Sequence, residues 1–214
     1  MSELPVTHSF VKICGVTSPH DAELVVESGA DALGVILTTS RRRVDATAAG
    51  EILEAVAARL FTVGVVDSED PASIGAVLAG LPVDAVQVHG GLSLSLASDL
   101  RARGLAIIKV LSVGTADLAS FDDRAVDAVL VDGAVPGSGV EHSFRELGER
   151  TFERPVIAAG GLTPHRVGAV IGAYGVWGVD VATGVESAPG VKDAQRVLEF
   201  GDAARRAFAN RGVG

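Results

Sequence analysis

Eight short apolar runs alternate with stretches of helical spacing along this chain of 214 residues, and that alternation constrains the fold more than any other feature. The runs cover 9–14, 32–37, 60–66, 84–89, 105–111, 127–132, 155–160 and 175–182. Each is rich in β-branched residues and bounded by Gly, Pro, Asp or Ser, as buried parallel strands are. Between them, 18–30 carries a Ser18 cap, Pro19 inside the start and Gly29 at the end. The segments 45–60 and 92–104 place apolar residues three and four apart. A further helix is expected to open at Thr163-Pro164, and a closing one to run from Val191 to Ala209. Eight β–α units imply a parallel sheet with right-handed crossovers. They fit one small (β/α)8 barrel, eight strands with eight helices, spanning 1–214 with 1–8 as a short N-terminal extension. No Gly-x-Gly-x-x-Gly follows the first strand, which counts against a dinucleotide-binding sheet.

Composition narrows the function. The formal charge is −9, and the only basic run is Arg41-Arg42-Arg43, so a nucleic-acid partner is not expected. No apolar run approaches the ~18 residues of a membrane helix. The opening MSELPVTHSF lacks the basic and apolar regions of a signal peptide. A single cysteine forms no internal disulfide, which points to a reducing, cytoplasmic setting.

In such a barrel, chemistry gathers at the carboxyl ends of the strands. The candidates there are Cys14, the arginines after strand two, Asp67, Gln87 and His89, Asp132, and Asp180 with Thr183. Two glycine-rich turns follow strands seven and eight, at Gly160-Gly161 and Thr183-Gly184. Backbone N–H groups in these paired turns suit a phosphate, and they work in an acidic protein because they need no lysine. Each feature has a plainer alternative. Glycines make tight turns, an unpaired cysteine is usually a small buried hydrophobe, and Asp132 before Gly133 suits a turn.

Taken in order, the landmarks KICG, ESGADALGVI, VGVV, VQVHG, VLVD followed by GSG, AAGGLTPHRV and GVDVATGVESAPGVKD resemble the phosphoribosylanthranilate isomerase family of tryptophan biosynthesis. The resemblance implies an Amadori rearrangement of N-(5-phosphoribosyl)anthranilate to 1-(2-carboxyphenylamino)-1-deoxyribulose 5-phosphate. Its substrate is a small phosphorylated molecule, it needs no cofactor or metal, and its assembly is a monomer or a homodimer. By the same resemblance Cys14 is the general base and Asp132 the general acid. Alignment through Ser40 selects Arg42, between Arg41 and Arg43, for the anthranilate carboxylate. Gln87 and His89 line the substrate's polar edge, and Asp180 meets the ribose hydroxyls. A thiol acts as a base only as thiolate, so a cation or a helix N-terminus is expected near Cys14. An aspartate acting as acid needs desolvation or a nearby anion.

The chain departs from the family pattern at three places: LTTS after strand two, Asp67 where asparagine is usual, and VEHSF at 140–144 after GSG. Two rival readings stand beside the main one. One is the related isomerase of histidine biosynthesis, or a dual-substrate form of it. The other is a non-catalytic barrel that binds a phosphorylated metabolite.

Overall fold

The computed structural model describes residues 4, 9–67, 69–113, 115, 121–133 and 151–211. Eight parallel strands close into a barrel in chain order: β1 (Phe10–Cys14), β2 (Ala32–Ile36), β3 (Phe61–Val66), β4 (Ala85–Val88), β5 (Ala106–Ser112), β6 (Ala128–Asp132), β7 (Val156–Ala159) and β8 (Gly178–Val181). β8 pairs back onto β1, with Lys12 opposite Asp180. Every strand expected from the sequence is present, most of them shortened by a residue or two at the ends.

Three strand starts share one device. Asp31, Asp84 and Asp127 each stand one residue before an even-numbered strand. Their carboxylates accept the backbone N–H of the preceding strand, from Val11 at 2.7 Å, Thr62 at 2.9 Å and Ile107 at 2.8 Å. These side chains satisfy donors at the lower rim of the barrel, while their own backbones continue the pairing to the neighbouring strands.

Around the barrel run α1 (Pro19–Glu27), α2 (Ala46–Val56), α3 (Pro71–Leu78), α4 (Leu94–Ala102), α5 (Val167–Tyr174) and α6 (Ala194–Arg211). Ser18, Asp45, Asp70 and Ser93 cap the first four by accepting backbone N–H groups. Six helices therefore stand among the described residues where eight were expected. The segments 116–120 and 134–150, after β5 and β6, lie outside them, as do most of residues 1–8.

Two helix starts differ from expectation. Residues 164–166 form a turn, with Arg166 and Val167 both donating to the Thr163 carbonyl, and α5 begins only at Val167. The tail opens as a strand: β10 (Val191–Lys192) pairs antiparallel with β9 (Glu186–Ala188), and the helix follows at Ala194. Among the described residues no helix is long and apolar enough to cross a membrane.

Side chains alternate along each strand. One set fills the barrel: Phe10, Ala32, Val63, Ala85, Ile108, Leu130 and Ile157 form a single buried cluster. Its floor is aromatic, with Phe10 stacked on Trp177 at 4.8 Å and edge-on to Phe61 at 6.5 Å. Leu4 belongs to the same cluster. The other set packs the helices onto the outside, with Ile52, Leu53, Leu100, Ile171 and Phe200 fully buried or nearly so. The floor is thus sealed by hydrophobes, and polar side chains inside the barrel lie toward the opposite rim.

Candidate active site

The inward face of β1 reads Phe10, Lys12, Cys14, so the strand period carries it from the sealed floor to the open rim. Asp180 on β8, Gln87 on β4 and Asp132 on β6 stand on the same inward alternation as Gly178, Ala85 and Leu130 of those strands. One strand-closing pattern therefore brings Cys14, Gln87, Asp132 and Asp180 to one end of one barrel.

Lys12 is the residue sequence reasoning passed over. It is fully buried, and its Nζ donates to Asp180 Oδ1 at 3.0 Å. An unpaired ammonium at that depth would cost several kcal/mol. Burial works to lower the Lys12 pKa, but the charges of Asp180 and Cys14 prevail and hold it above its ordinary value. Burial pushes the Cys14 thiol up, and Asp180 adds to that push, while Lys12 and Lys192 pull it down; the balance is a thiol above its ordinary value.

Arg42 is the inward member of its triplet. Arg41 and Arg43 are exposed, while the Ser40 hydroxyl accepts the Arg42 backbone N–H at 3.1 Å and turns its side chain over the rim. The stem lies on Gly15, where a Cβ would sit 2.5 Å from Arg42 Cδ; φ of 69° there suits glycine as well. The guanidinium is already engaged. Nε and Nη2 donate to the two oxygens of Glu186 at 2.6 and 2.7 Å, and Nη2 also reaches Thr183 Oγ1 at 3.0 Å. Among the described residues Nη1 donates to nothing. Burial raises Glu186, but hydrogen bonding from Arg42 and the charge of Lys192 hold it below the usual carboxylate range. Lys192, buried on β10, donates to Glu186 Oε1 at 3.2 Å and to the Cys14 carbonyl at 2.7 Å. The β9–β10 hairpin thus ties the arginine to the backbone of the cysteine. Glu186 and Lys192 were visible only as letters of GVESAPGVKD; no local spacing joins them to Arg42.

Gln87 and His89 share a contact, with Gln87 Nε2 3.3 Å from His89 Nε2. Among the described residues, the buried Gln87 Oε1 has no hydrogen-bond partner. Such an oxygen costs about 1–3 kcal/mol until a donor arrives. Burial lowers the His89 pKa below 6.5, against the opposing charge of Asp132, so the ring is neutral at neutral pH. Asp67 is exposed on the rim after β3, and its charge also reaches His89.

The two glycine turns meet. A Cβ at Gly184 would overlap the Leu162 carbonyl, so the loops after β7 and β8 touch backbone to backbone. Gly160 and Gly161 have φ of 89° and 64°, which glycine adopts without strain. Tight-turn chemistry thus accounts for the choice of glycine at all three positions. It leaves the donors over: among the described residues the backbone N–H groups of Gly160, Gly161, Thr183 and Gly184 have no acceptor. Four such donors on two abutting loops suit an anion. The GSG and VEHSF segments lie outside the described residues.

A family model for N-(5′-phosphoribosyl)anthranilate (PRA) isomerase matches residues 11–203. The isomerase of that name from Desulforudis audaxviator is 36% identical over 207 residues, covering 94% of this chain and all of its own length. Phosphoribosyl anthranilate isomerase from Thermotoga maritima superposes with a TM-score of 0.81 at 31% identity, covering 92% of this chain and 99% of its own. Another solved isomerase, in complex with reduced 1-(o-carboxyphenylamino)-1-deoxyribulose 5-phosphate, gives 0.75 at 29% identity, with 92% and 99% covered. The inward Cys14 and Asp132, the paired glycine turns and these matches agree: the chain belongs to the N-(5′-phosphoribosyl)anthranilate isomerase family, aldose–ketose isomerases of tryptophan biosynthesis.

Proposed function

We propose that Cys14 and Asp132 divide the proton transfers of the Amadori rearrangement between them. Asp132, on the inward face of β6, protonates the furanose ring oxygen, and the sugar opens to an iminium ion. The Cys14 thiolate then takes the C2 proton, leaving an enolamine and a neutral thiol. Protonation at C1 and loss of the C2 hydroxyl proton give the ketone. The observation that carries this reading is the alternation that sets both groups inward at one end of the barrel. Opposed demands on a thiol and a carboxyl in one pocket are a general solution for acid–base chemistry at neutral pH.

The remaining groups bind. The phosphate takes the N–H groups of Gly160, Gly161, Thr183 and Gly184. The anthranilate carboxylate meets the Nη1 edge of Arg42, whose other edge Glu186 holds. A sugar hydroxyl donates to the orphaned Gln87 Oε1, with neutral His89 beside it, and Asp180 accepts from the ribose while keeping Lys12. Every group named comes from one chain, so both a monomer and a homodimer accommodate the reading. We infer a cytoplasmic setting, a reading supported by the single cysteine, which forms no internal disulfide.

Asp132→Asn tests the acid. Turnover of freshly generated phosphoribosylanthranilate, followed by its fluorescence, should fall by roughly 10²–10⁴-fold, with product affinity within a few-fold. Unchanged turnover would remove Asp132 from the mechanism.

A further inference from the structure

Beneath Cys14 the barrel holds a charge that the acid–base pair does not use. Lys12 lies two residues before Cys14 on β1 and is fully buried. Across the strand pair, Gly34 stands opposite Cys14. A Cβ at Gly34 would come within 2.9 Å of Cys14 Sγ and 3.0 Å of Lys12 Nζ. Thiol and ammonium therefore converge on the space that this glycine leaves open. On the other side of β1, Asp180 Oδ1 fixes the ammonium at 3.0 Å.

Stability alone does not explain this lysine. Replacing a buried ion pair by apolar residues of similar volume is often neutral or stabilising. Phe10 of the same face shows that β1 accommodates a hydrophobe inside. An ammonium set against the one cysteine of the chain is a chemical choice.

We propose that Lys12 is a positioning residue for the general base: its ammonium, anchored by Asp180, is the counter-charge that keeps the Cys14 sulfur available as thiolate. The inference rests on Cys14 being the base. Lys12 keeps its protons throughout; only the thiolate gains one, from C2. The other charges that reach this pair are Lys192 and Arg42, near Cys14, and His89, whose ring feels Lys12, Asp180 and Asp132. Burial and Asp180 oppose the thiolate, and Lys12 is the foremost influence in its favour.

The test is a titration of the Cys14 thiolate by its ultraviolet absorbance, against a Cys14→Ser background, in wild type and Lys12→Met. An opposite charge at this range moves a pKa by about 1–3 units. Loss of the ammonium should therefore raise the midpoint by a unit or more and lower kcat at neutral pH by at least about 10-fold. KM should stay within a few-fold, and kcat should recover as pH rises, which a merely structural defect would not do. If Lys12→Met does not fold, Lys12→Met/Asp180→Asn leaves the interior neutral, and comparison with Asp180→Asn alone isolates the ammonium. Asp180→Asn should lower the midpoint and the double variant should raise it again. Equal midpoints with and without Lys12 would overturn the proposal while leaving Cys14 as base. Full turnover by Cys14→Ser would overturn the base assignment, and this inference with it.

Discussion

Arg42 and Glu186, 144 residues apart in the chain, form a two-pronged ion pair at 2.6 and 2.7 Å across the rim of the barrel. Glu186 occupies the Nε–Nη2 edge of the guanidinium and so fixes the direction of the other edge. A planar, five-donor cation can be held on one side and still bind on the other, which lysine cannot imitate. Glu186 is in turn shared with buried Lys192, whose ammonium also grips the carbonyl of Cys14. Arg42 and Cys14 are braced by the same short hairpin.

Glu186→Gln should therefore act at two levels. A hydrogen bond to a charged group contributes about 1.5–3 kcal/mol, so KM should rise roughly 10-fold or more while kcat changes far less. Lys192, left buried without its carboxylate, should lower the melting temperature as well. Steady-state kinetics and thermal unfolding of the one variant check both.

Gly184→Ala should disturb the loops proposed to bind phosphate. The added methyl meets the Leu162 carbonyl, so the loops after β7 and β8 must part. Inhibition by inorganic phosphate, a probe of those loops alone, should weaken by about 10-fold, the loss of one charged hydrogen bond or so. Retained phosphate inhibition would mean that the four N–H groups do not converge on one anion.

His89 supplies a pH signature. Its folded pKa lies below 6.5 because burial disfavours the charged ring, and its unfolded value is near 6.5. The folded state thus prefers the neutral form. The associated stability is fully present above about pH 6.5 and is lost as pH falls through the lower, folded value. The urea midpoint should drop over that window, and the drop should shrink in His89→Asn. An identical pH dependence in the variant would assign the effect elsewhere.

The barrel was legible because buried parallel strands are short β-branched runs punctuated by turn residues, and Val11, Leu33, Val86 and Ile107 sit where such runs predict. The first helix was legible through Ser18 and Pro19. The β9–β10 hairpin was not, since Val191 reads as the first turn of an amphipathic helix, and only its pairing with Ala188 makes it a strand. Cys14 and Asp132 announced themselves as the last residues of apolar strands, and Asp180 as a carboxylate within one. Lys12 was also printed in an apolar strand, and its period-two spacing from Cys14 was the signal available. Its partner, Asp180, lies 168 residues away and is reached only when β8 closes on β1. Arg42 was selected from three neighbours by the Ser40 alignment; its engagement with Glu186 came from tertiary structure alone.

The most direct measurement is turnover of freshly generated phosphoribosylanthranilate by wild type and Cys14→Ser, read as loss of substrate fluorescence. The assignment of Cys14 as base predicts wild-type turnover and a fall of about 10²–10⁴-fold in the variant, with product still bound. A folded Cys14→Ser protein that turns over at the wild-type rate would contradict it.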